Sequence, residues 1–524
     1  MKSPDSQSRP GAGGADMYYL FLAGSILSII FAVYWQSVSL PFIQDDWGLI
    51  EFARTNGPLA LIRSTIDPSN SFFYRPLAKG YLFLMYRVFG ANPLPFHLAA
   101  LAVHAFNAFL VALIVNRITR DRVIGFLTAL IYAAAIAIHL DPLAWAVGIY
   151  DVGGALFFLL SLWLFMRGKI LLSSLVFFIG LLVKESIIVL PVILLSYLLL
   201  VNPMDMWKQS VSSRWKHALP FLLAMVTASV IRTMGTSTFG LPASHPYAID
   251  LWGAHVAGNA LLYFGWMLQS LLPFISVSAR LSFLLSLGLG VLLIFYFFLA
   301  SSQRIKEPRI RIALFFIVWL IAGLLPVIFL SNHVYRYYAV YSLPAFIVLF
   351  LLLGKSFLLG LGFKSNVVTA ILVIISSLAV TGSAVAGNQI YRQGLSQSIL
   401  ADGTNQLIAR AATVDMVQAE LKRDLPTVPV DSTIVMRGVD LWAFNKHSGP
   451  QLWYDDPTLR VYDWSELVID NGQPYIVNPV ESQIQGYTGP QKATISIDPS
   501  RLFIYQWSDG RLVRLDYREL GRPR

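Results

Sequence analysis

Apolar runs of bilayer-spanning length recur along this sequence and constrain its fold more than any other feature. The chain is 56% hydrophobic and 13% charged over 524 residues, with a mean hydropathy of +0.62, which is too apolar for a soluble protein of this length. A transmembrane helix needs about 20 apolar residues. The sequence therefore predicts a polytopic α-helical membrane protein with about eleven transmembrane helices, at 17–40, 95–116, 123–139, 143–166, 170–183, 186–201, 218–233, 283–300, 312–330, 337–353 and 366–385.

Basic residues cluster in loops on one side of these predicted spans, which the positive-inside rule makes cytoplasmic. The stretch 255–273 is interpreted as a re-entrant or interfacial helix, because counting it as a span would place the basic cluster 304–311 outside. The segment 78–90 has the amphipathic pattern of a helix along the outer interface. Residues 1–16 are expected to form a disordered cytoplasmic tail.

The net charge of +10 is interpreted as a topology signal with affinity for anionic lipid, and no nucleic-acid partner is expected. The chain has no cysteine, which excludes disulfides, thiol catalysis and zinc-thiolate sites. No motif with metal-ligand spacing is present, so neither a metal nor a cofactor is expected.

Composition changes sharply after about residue 386, which divides the chain into a transmembrane domain at 17–385 and a soluble domain at 386–524. The second domain is expected to be α/β (α+β) and extracytoplasmic. Residues 404–424 have a helical pattern, with Thr404 as the N-cap and Pro426 after the end. The predicted strands are 432–436, 459–462, 501–507 and 511–515, the last two forming a hairpin.

The polar loop 41–77 follows the first span and begins with paired carboxylates, Asp45 and Asp46, and ends near Arg75. A base and an anion-binding group would therefore lie together at the outer membrane surface. The alternative is that the two acids terminate a helix and solvate the loop.

Other polar residues share this predicted outer face. Asp151 lies roughly 12 Å along its predicted span at about 1.5 Å per residue, and an ionisable group at that depth is functional or forms a buried ion pair. His139, Asp141 and Trp145 would cluster at the outer mouth of the same span, as groups that position a sugar or the loop. The alternative for Trp145 is an interface anchor.

Lys184 and Glu185 interrupt two apolar runs, and Arg336 lies among tyrosines. Each cation has either an anion-binding role or the role of a residue reaching water at a helix end. Three polar residues recur on one face of the second span and are assigned to hydrogen bonds between helices: His97, His104 and Asn107.

Several short motifs resemble, in order, those of the GT-C membrane glycosyltransferases. The likeness is closest to the branch of the transmembrane tetratricopeptide O-mannosyltransferases and their bacterial relatives. The tetratricopeptide repeats are absent, and Ile149 stands where an arginine is common. The matching motifs are Gln44-Asp45-Asp46-Trp47, Tyr74-Arg75-Pro76-Leu77, His97-Leu98 with His104-Ala105-Phe106-Asn107-Ala108, His139-Leu140-Asp141-Pro142-Leu143-Ala144-Trp145 with Asp151, Lys184-Glu185 with Pro191, and Arg336-Tyr337 with Leu343-Pro344.

The resemblance implies a GT-C-like enzyme that moves a sugar from a polyprenyl-phosphate donor to an acceptor hydroxyl, with inversion, on the extracytoplasmic face. Asp45 would be the general base with Asp46 as the second choice. Arg75, Lys184 and Arg336 would bind the donor phosphate. The sugar or the loop would be positioned by His139, Asp141, Trp145, Asp151 and Glu185.

The expected location is a bacterial inner (cytoplasmic) membrane, with the N-terminus cytoplasmic and the C-terminal domain periplasmic or extracellular. The acceptor is a glycan, a lipid or a protein. Two other functions stay open: a flippase or transporter of lipid-linked sugars, and a diphosphate-dependent glycan polymerase or ligase. Transporters commonly contain internal repeats, and no repeat is evident here.

Overall fold

The computed structural model describes residues 12–66, 74–202, 211–233, 247–273, 284–285, 288, 307–393, 406–479, 494–508 and 510–520. The transmembrane domain is helical, with short 3-10 turns between several helices. Its helices are α1 Ala12–Tyr34, α2 Asp45–Thr55, α3 Pro58–Ile66, α4 Pro76–Phe89, α5 Leu94–Thr119, α6 Arg122–Ala134, α7 Ile136–Ala144, α8 Ile149–Met166, α9 Ile170–Leu181, α10 Leu190–Ser196, α11 Val211–Thr233, α12 Ala254–Gln269, α13 Glu307–Ile328, α14 Leu343–Gly360 and α15 Ser365–Gln393.

The described part of the chain contains six or seven of the eleven predicted spans at full spanning length. The described residues contain six helices long and apolar enough to cross a membrane, or seven if the pair α6 and α7, bent by 51°, is one span. The predicted spans 170–183, 186–201 and 218–233 correspond to shorter apolar helices, and 283–300 lies largely outside the described residues. The six long helices are Asp16–Ser39, Leu94–Thr119, Ala146–Met166, Pro308–Ile328, Leu343–Gly360 and Ser365–Arg392.

The predicted span 143–166 is not one continuous helix. The backbone leaves the helix after α7, passes through the 3-10 turn Ala146–Gly148 and re-enters at α8. Gly148 packs so closely on Pro142 that an added Cβ would lie 2.3 Å from the Pro142 carbonyl oxygen, so only glycine fits there. Asp151 consequently lies in the first turn of α8 instead of roughly 12 Å down a helix.

Three polar residues of α5 join helices, as predicted from their spacing. The His97 and His104 Nε2 atoms lie 3.2 and 3.1 Å from the carbonyl oxygens of Leu40 and Ala133. The Asn107 amide donates to the Val152 carbonyl at 2.9 Å. Each bond satisfies one polar atom of its side chain inside an apolar bundle, where an unpaired polar atom is costly.

The C-terminal domain contains helices on two small sheets. A four-stranded sheet has the order β2-β1-β6-β7, in which β1 is parallel to β2 and β6, and β7 is antiparallel to β6. The predicted hairpin 501–515 is thus confirmed. The elements are α16 Gln406–Asp424, β1 Thr433–Arg437, α17 Ser448–Tyr454, β2 Arg460–Asp463, β3 Leu467–Asp470, β4 Gln473–Val477, β5 Thr494–Ser496, β6 Leu502–Ser508, β7 Arg511–Leu515 and α18 Tyr517–Leu520.

The C-terminal domain packs on the loop that carries the paired aspartates. The Gln44 N–H donates to the Ala443 carbonyl at 2.9 Å. The Trp47 ring meets the Trp453 ring edge to face at 5.7 Å, a geometry that stabilises aromatic pairs. The start of α2 is therefore held between the two domains.

Candidate active site

Asp45 is the first residue of α2, and its side chain is exposed. Protein atoms nevertheless surround the carboxyl group, and this burial raises its pKa to about 6, although the charges of Arg410 and Arg75 lower the pKa in part. Within the described part of the chain, no hydrogen bond or salt bridge engages this carboxylate. Asp45 is thus a carboxylate that solvent can reach although protein atoms lie around it.

Asp46 has a different environment, because it is 1% exposed. Its carboxylate accepts hydrogen bonds from the backbone N–H groups of Ile43 at 3.0 Å, Ala146 at 3.3 Å and Val147 at 2.8 Å. Burial raises the pKa of the Asp46 carboxyl to about 7, although the three donors lower this pKa in part because they favour the charged form. Asp46 therefore joins the loop to the turn that leads into α8.

Arg75 forms a two-pronged ion pair with Glu185. Its Nε and Nη2 atoms lie 2.9 and 2.6 Å from the Glu185 carboxylate oxygens. The same carboxylate is 3.5 Å from Arg232 Nη1, and the Arg75 guanidinium lies over the Tyr150 ring at 5.3 Å. The structure thus brings together two predicted site residues from loops 110 positions apart.

Lys184 forms a second ion pair beside the first. Its Nζ lies 2.8 Å from Asp151 Oδ1, and both side chains are only 5% exposed. The ammonium also lies 6.0 and 5.4 Å from the ring centres of Tyr337 and Tyr338. We call these two pairs and Arg232 the outer ion cluster: it consists of Arg75, Asp151, Lys184, Glu185 and Arg232.

Arg336 begins the 3-10 turn Arg336–Tyr341, whose tyrosines border the outer ion cluster. Its guanidinium lies over the Trp266 ring of α12 at 5.9 Å. Trp266 therefore belongs to the wall of this region, and α12 packs against the turn.

The sequence pattern predicts His139 at the outer mouth of a span, but the structure places it elsewhere. It is fully buried, and its ring centre is 4.3 Å from His104 and 4.6 Å from Tyr132. The bend between α6 and α7 turns it into the bundle. Asp141 is half-buried, and its charge acts on Tyr335 and Tyr337. Trp145 is half-buried directly before the turn into α8.

Two residues near Asp45 were missed in the sequence. The charges of Asp45, Arg75 and Glu185 all act on Tyr247, whose ring centre lies 4.1 Å from His333. Arg410 of α16 acts on Asp45 from the C-terminal domain and pairs with Asp440 at 2.7 Å. No local pattern marks either residue, since both reach the site only through tertiary packing. Arg232 did carry a signal, because it is a cation at the predicted outer end of a span.

A shallow open groove borders the outer ion cluster. Its volume is about 40 Å³. Glu185 and Arg232 lie at its polar end, and apolar residues of α9 and α11 line most of its length. The other lining residues are Tyr74, Leu181, Leu182, Ile188, Met225, Ala228 and Ser229.

Within the described ranges, no three or more His, Asp or Glu side chains are grouped so as to hold a metal ion.

Comparisons with known proteins give a distant structural likeness. No family model matches the sequence, and no curated protein matches it. Among solved structures, the chain is similar to the crystal structure of ArnT from Cupriavidus metallidurans bound to undecaprenyl phosphate. The identity is 13%, the TM-score is 0.45 and 86% of each chain is covered. A likeness at this score does not establish a common fold or activity, so the function is inferred from the residues of the site.

Proposed function

We propose that this protein is a GT-C-type inverting glycosyltransferase. It would move a sugar from a polyprenyl phosphate to an acceptor hydroxyl on the extracytoplasmic face, with Asp45 as the general base. The observation that carries the proposal is the contrast between the paired aspartates: Asp46 is engaged by three backbone donors, whereas Asp45 is exposed and has a raised pKa. The motif resemblance of the loop supports the same assignment.

The chemistry requires one base and no acid. A carboxylate with a pKa of about 6 is mostly ionised at neutral pH and close to the optimum for accepting a proton. The acceptor oxygen attacks the anomeric carbon, the bond from that carbon to the phosphate oxygen breaks, and the acceptor proton passes to Asp45. A phosphate leaves already ionised, so the second carboxyl group of a glycosidase is not needed.

The outer ion cluster supplies the counter-charge for the departing phosphate. It contains three cations and two carboxylates, and thus has a surplus of one positive charge. Arg232 lies 3.5 Å from Glu185 at the polar end of the groove, so its guanidinium is placed to bind a phosphate oxygen. Charge-assisted bonds of this kind stabilise charge that develops in the transition state.

The groove would hold the lipid. Its apolar walls suit a polyprenyl chain, and its polar end at Arg232 would place the phosphate beside Arg75. Membrane-facing apolar grooves with few charged groups at one end are suited to amphipathic ligands.

A donor panel tests this function. Membranes containing the protein are given radiolabelled sugars on polyprenyl monophosphate, on polyprenyl diphosphate or on nucleotides. We expect a labelled product from the monophosphate alone. Product from the diphosphate would favour the polymerase or ligase, and label that crosses vesicle membranes without a new glycosidic bond would favour the flippase.

The Arg232→Gln variant tests the phosphate site separately. Losing a charge-assisted bond costs about 1.5–3 kcal/mol, so we expect the KM for the donor to rise roughly tenfold or more while the KM for the acceptor changes little. Arg167→Gln is the matched control, because Arg167 is exposed and lies after α8, outside the groove. Equal donor KM values in the two variants would mean that Arg232 does not bind the donor.

A further inference from the structure

The carboxyl edge of the parallel strands in the C-terminal domain carries an unusual set of side chains. The strands β1, β2 and β6 run parallel and in register, with Met436 beside both Asp463 and Tyr505. Their ends therefore meet at one edge, where ligands of open α/β sheets commonly bind. Three side chains lie at this edge. Arg437 is the last residue of β1, Trp464 directly follows β2, and Trp507 is near the end of β6.

These side chains form a surface with both flat and hydrogen-bonding parts. The Arg437 guanidinium lies over the Trp464 ring at 5.3 Å. Arg437 is exposed and both indoles are half-exposed. Gly438 has a positive φ of 75°, and an added Cβ would be 3.7 Å from Trp507, so the chain turns away from β1 close to that ring.

The same edge reaches the proposed base. The loop that leaves β1 contains Asp440, which pairs with Arg410 at 2.7 Å, and Arg410 acts on the Asp45 carboxyl. The loop then continues to Ala443, whose carbonyl accepts the Gln44 N–H at 2.9 Å. One loop therefore connects this edge with the residues that contact the Asp45 segment.

We infer that this edge is a carbohydrate-binding site that holds the acceptor glycan. A pyranose has an apolar face of C–H groups, which suits an indole such as Trp507, and a rim of hydroxyls, which suits the five N–H donors of Arg437. The role of the bound glycan as acceptor rests on the proposed function; the binding itself does not.

The loop geometry argues against a nucleotide at this edge. A phosphate in a doubly wound fold binds at the N-terminus of the helix that follows a glycine-rich turn. Here β1 is followed by one glycine and by a four-residue 3-10 turn, Leu441–Phe444, whose Trp442 N–H already donates to Asp440 at 3.1 Å. The glycine-rich turn and the helix N-terminus that bind a phosphate in such folds are thus missing from this loop.

A glycan array tests the site without any donor. The purified full chain in detergent is applied to an array of hexoses, N-acetylhexosamines, deoxyhexoses, heptoses, uronates and their short oligomers. We expect the wild type to bind a subset of these glycans. The variants Trp507→Ala and Arg437→Ala should bind roughly tenfold more weakly, a loss of about 1.4 kcal/mol, and Trp507→Tyr should retain most of the binding.

Tyr475→Ala is the matched control, because it truncates an aromatic side chain on the second sheet. Arg437→Ala carries the test if Trp507→Ala does not fold, since Arg437 is exposed. The inference is overturned if the wild type retains no glycan, or if the edge variants bind as the wild type and Tyr475→Ala do. Glycan binding in a protein that transfers no sugar would instead overturn the proposed function and leave this site in place.

Discussion

Asp45 and Asp46 are neighbours in the chain but differ in surroundings. Asp46 is enclosed and accepts three backbone N–H groups, so its carboxylate is occupied by the fold. Asp45 is exposed and has a pKa raised to about 6. Of two acids that look equivalent in sequence, the structure leaves one reachable for chemistry.

The pH dependence of transfer follows from this pKa. The base must be ionised, so kcat/KM should fall as the pH drops below about 6 and be level above it. Rates measured between about pH 5 and about pH 8 with a fixed donor and acceptor would show this. A flat profile through that range would argue against Asp45 as the base.

The two aspartates should also differ in their effect on stability. The pKa of Asp45 is raised on folding, so its ionisation costs stability as the pH rises from the unfolded pKa through about 6. Asp45→Asn should therefore unfold at a higher temperature than wild type at neutral pH, and the difference should narrow in acid. The pKa of Asp46 is also raised, to about 7, so the same effect applies to Asp46. Asp46→Asn should nevertheless lose about 1–3 kcal/mol, because its amide N–H₂ would face buried backbone donors. Thermal unfolding in detergent measures both, and the reverse order would contradict the assigned roles.

The elements around the site are held by pairs that reach across the sequence. The ion pair of Lys184 and Asp151 joins the chain just before α10 to the first turn of α8. The ion pair of Arg75 and Glu185 joins the start of α4 to the same segment before α10. Breaking a buried pair leaves an uncompensated charge, whereas removing both partners is often tolerated.

Lys184→Met should therefore be more harmful than the double variant Lys184→Met/Asp151→Leu. We expect the single variant to lose about 3–5 kcal/mol of unfolding free energy and the double variant to recover most of it. The control is Lys355→Met, since the pair of Lys355 with Asp121 is half-exposed and should contribute about 1 kcal/mol or less. Equal unfolding temperatures for Lys184→Met and Lys355→Met would contradict the buried-pair argument.

Local patterns predicted many of the elements, and non-local contacts explain the failures. Alternation and a turn located the hairpin that became β6 and β7. The predicted span 143–166 corresponds to the helix Ala146–Met166, but the span begins with a break and a 3-10 turn, where Gly148 packs on Pro142. Arg410 could not be assigned to the site, since only the docking of the C-terminal domain brings it there.

In the whole molecule the C-terminal α/β domain packs on the helical bundle, with the start of α2 between them. An acceptor site on one domain and a donor groove on the other would then meet at Asp45. This arrangement requires the C-terminal domain to be extracytoplasmic, which stays a prediction from the distribution of basic residues.

The lack of cysteine makes that topology testable. Ser500→Cys is exposed on the C-terminal domain, and Ser365→Cys is exposed at the predicted cytoplasmic end of α15. A membrane-impermeant maleimide added to spheroplasts should label Ser500→Cys at once and Ser365→Cys only after permeabilisation. The opposite labelling pattern would mean that the protein has the opposite orientation in the membrane.

The central claim is that Asp45 is the base of a glycosyl transfer. The most direct measurement is transfer from radiolabelled polyprenyl-phosphate sugars in membranes with matched amounts of wild type, Asp45→Asn and Glu51→Gln. Glu51 is the control because it lies on the same helix and pairs with Arg54. The account predicts product from wild type and Glu51→Gln and at least about a hundredfold loss in Asp45→Asn. Transfer by Asp45→Asn at the wild-type rate would contradict it.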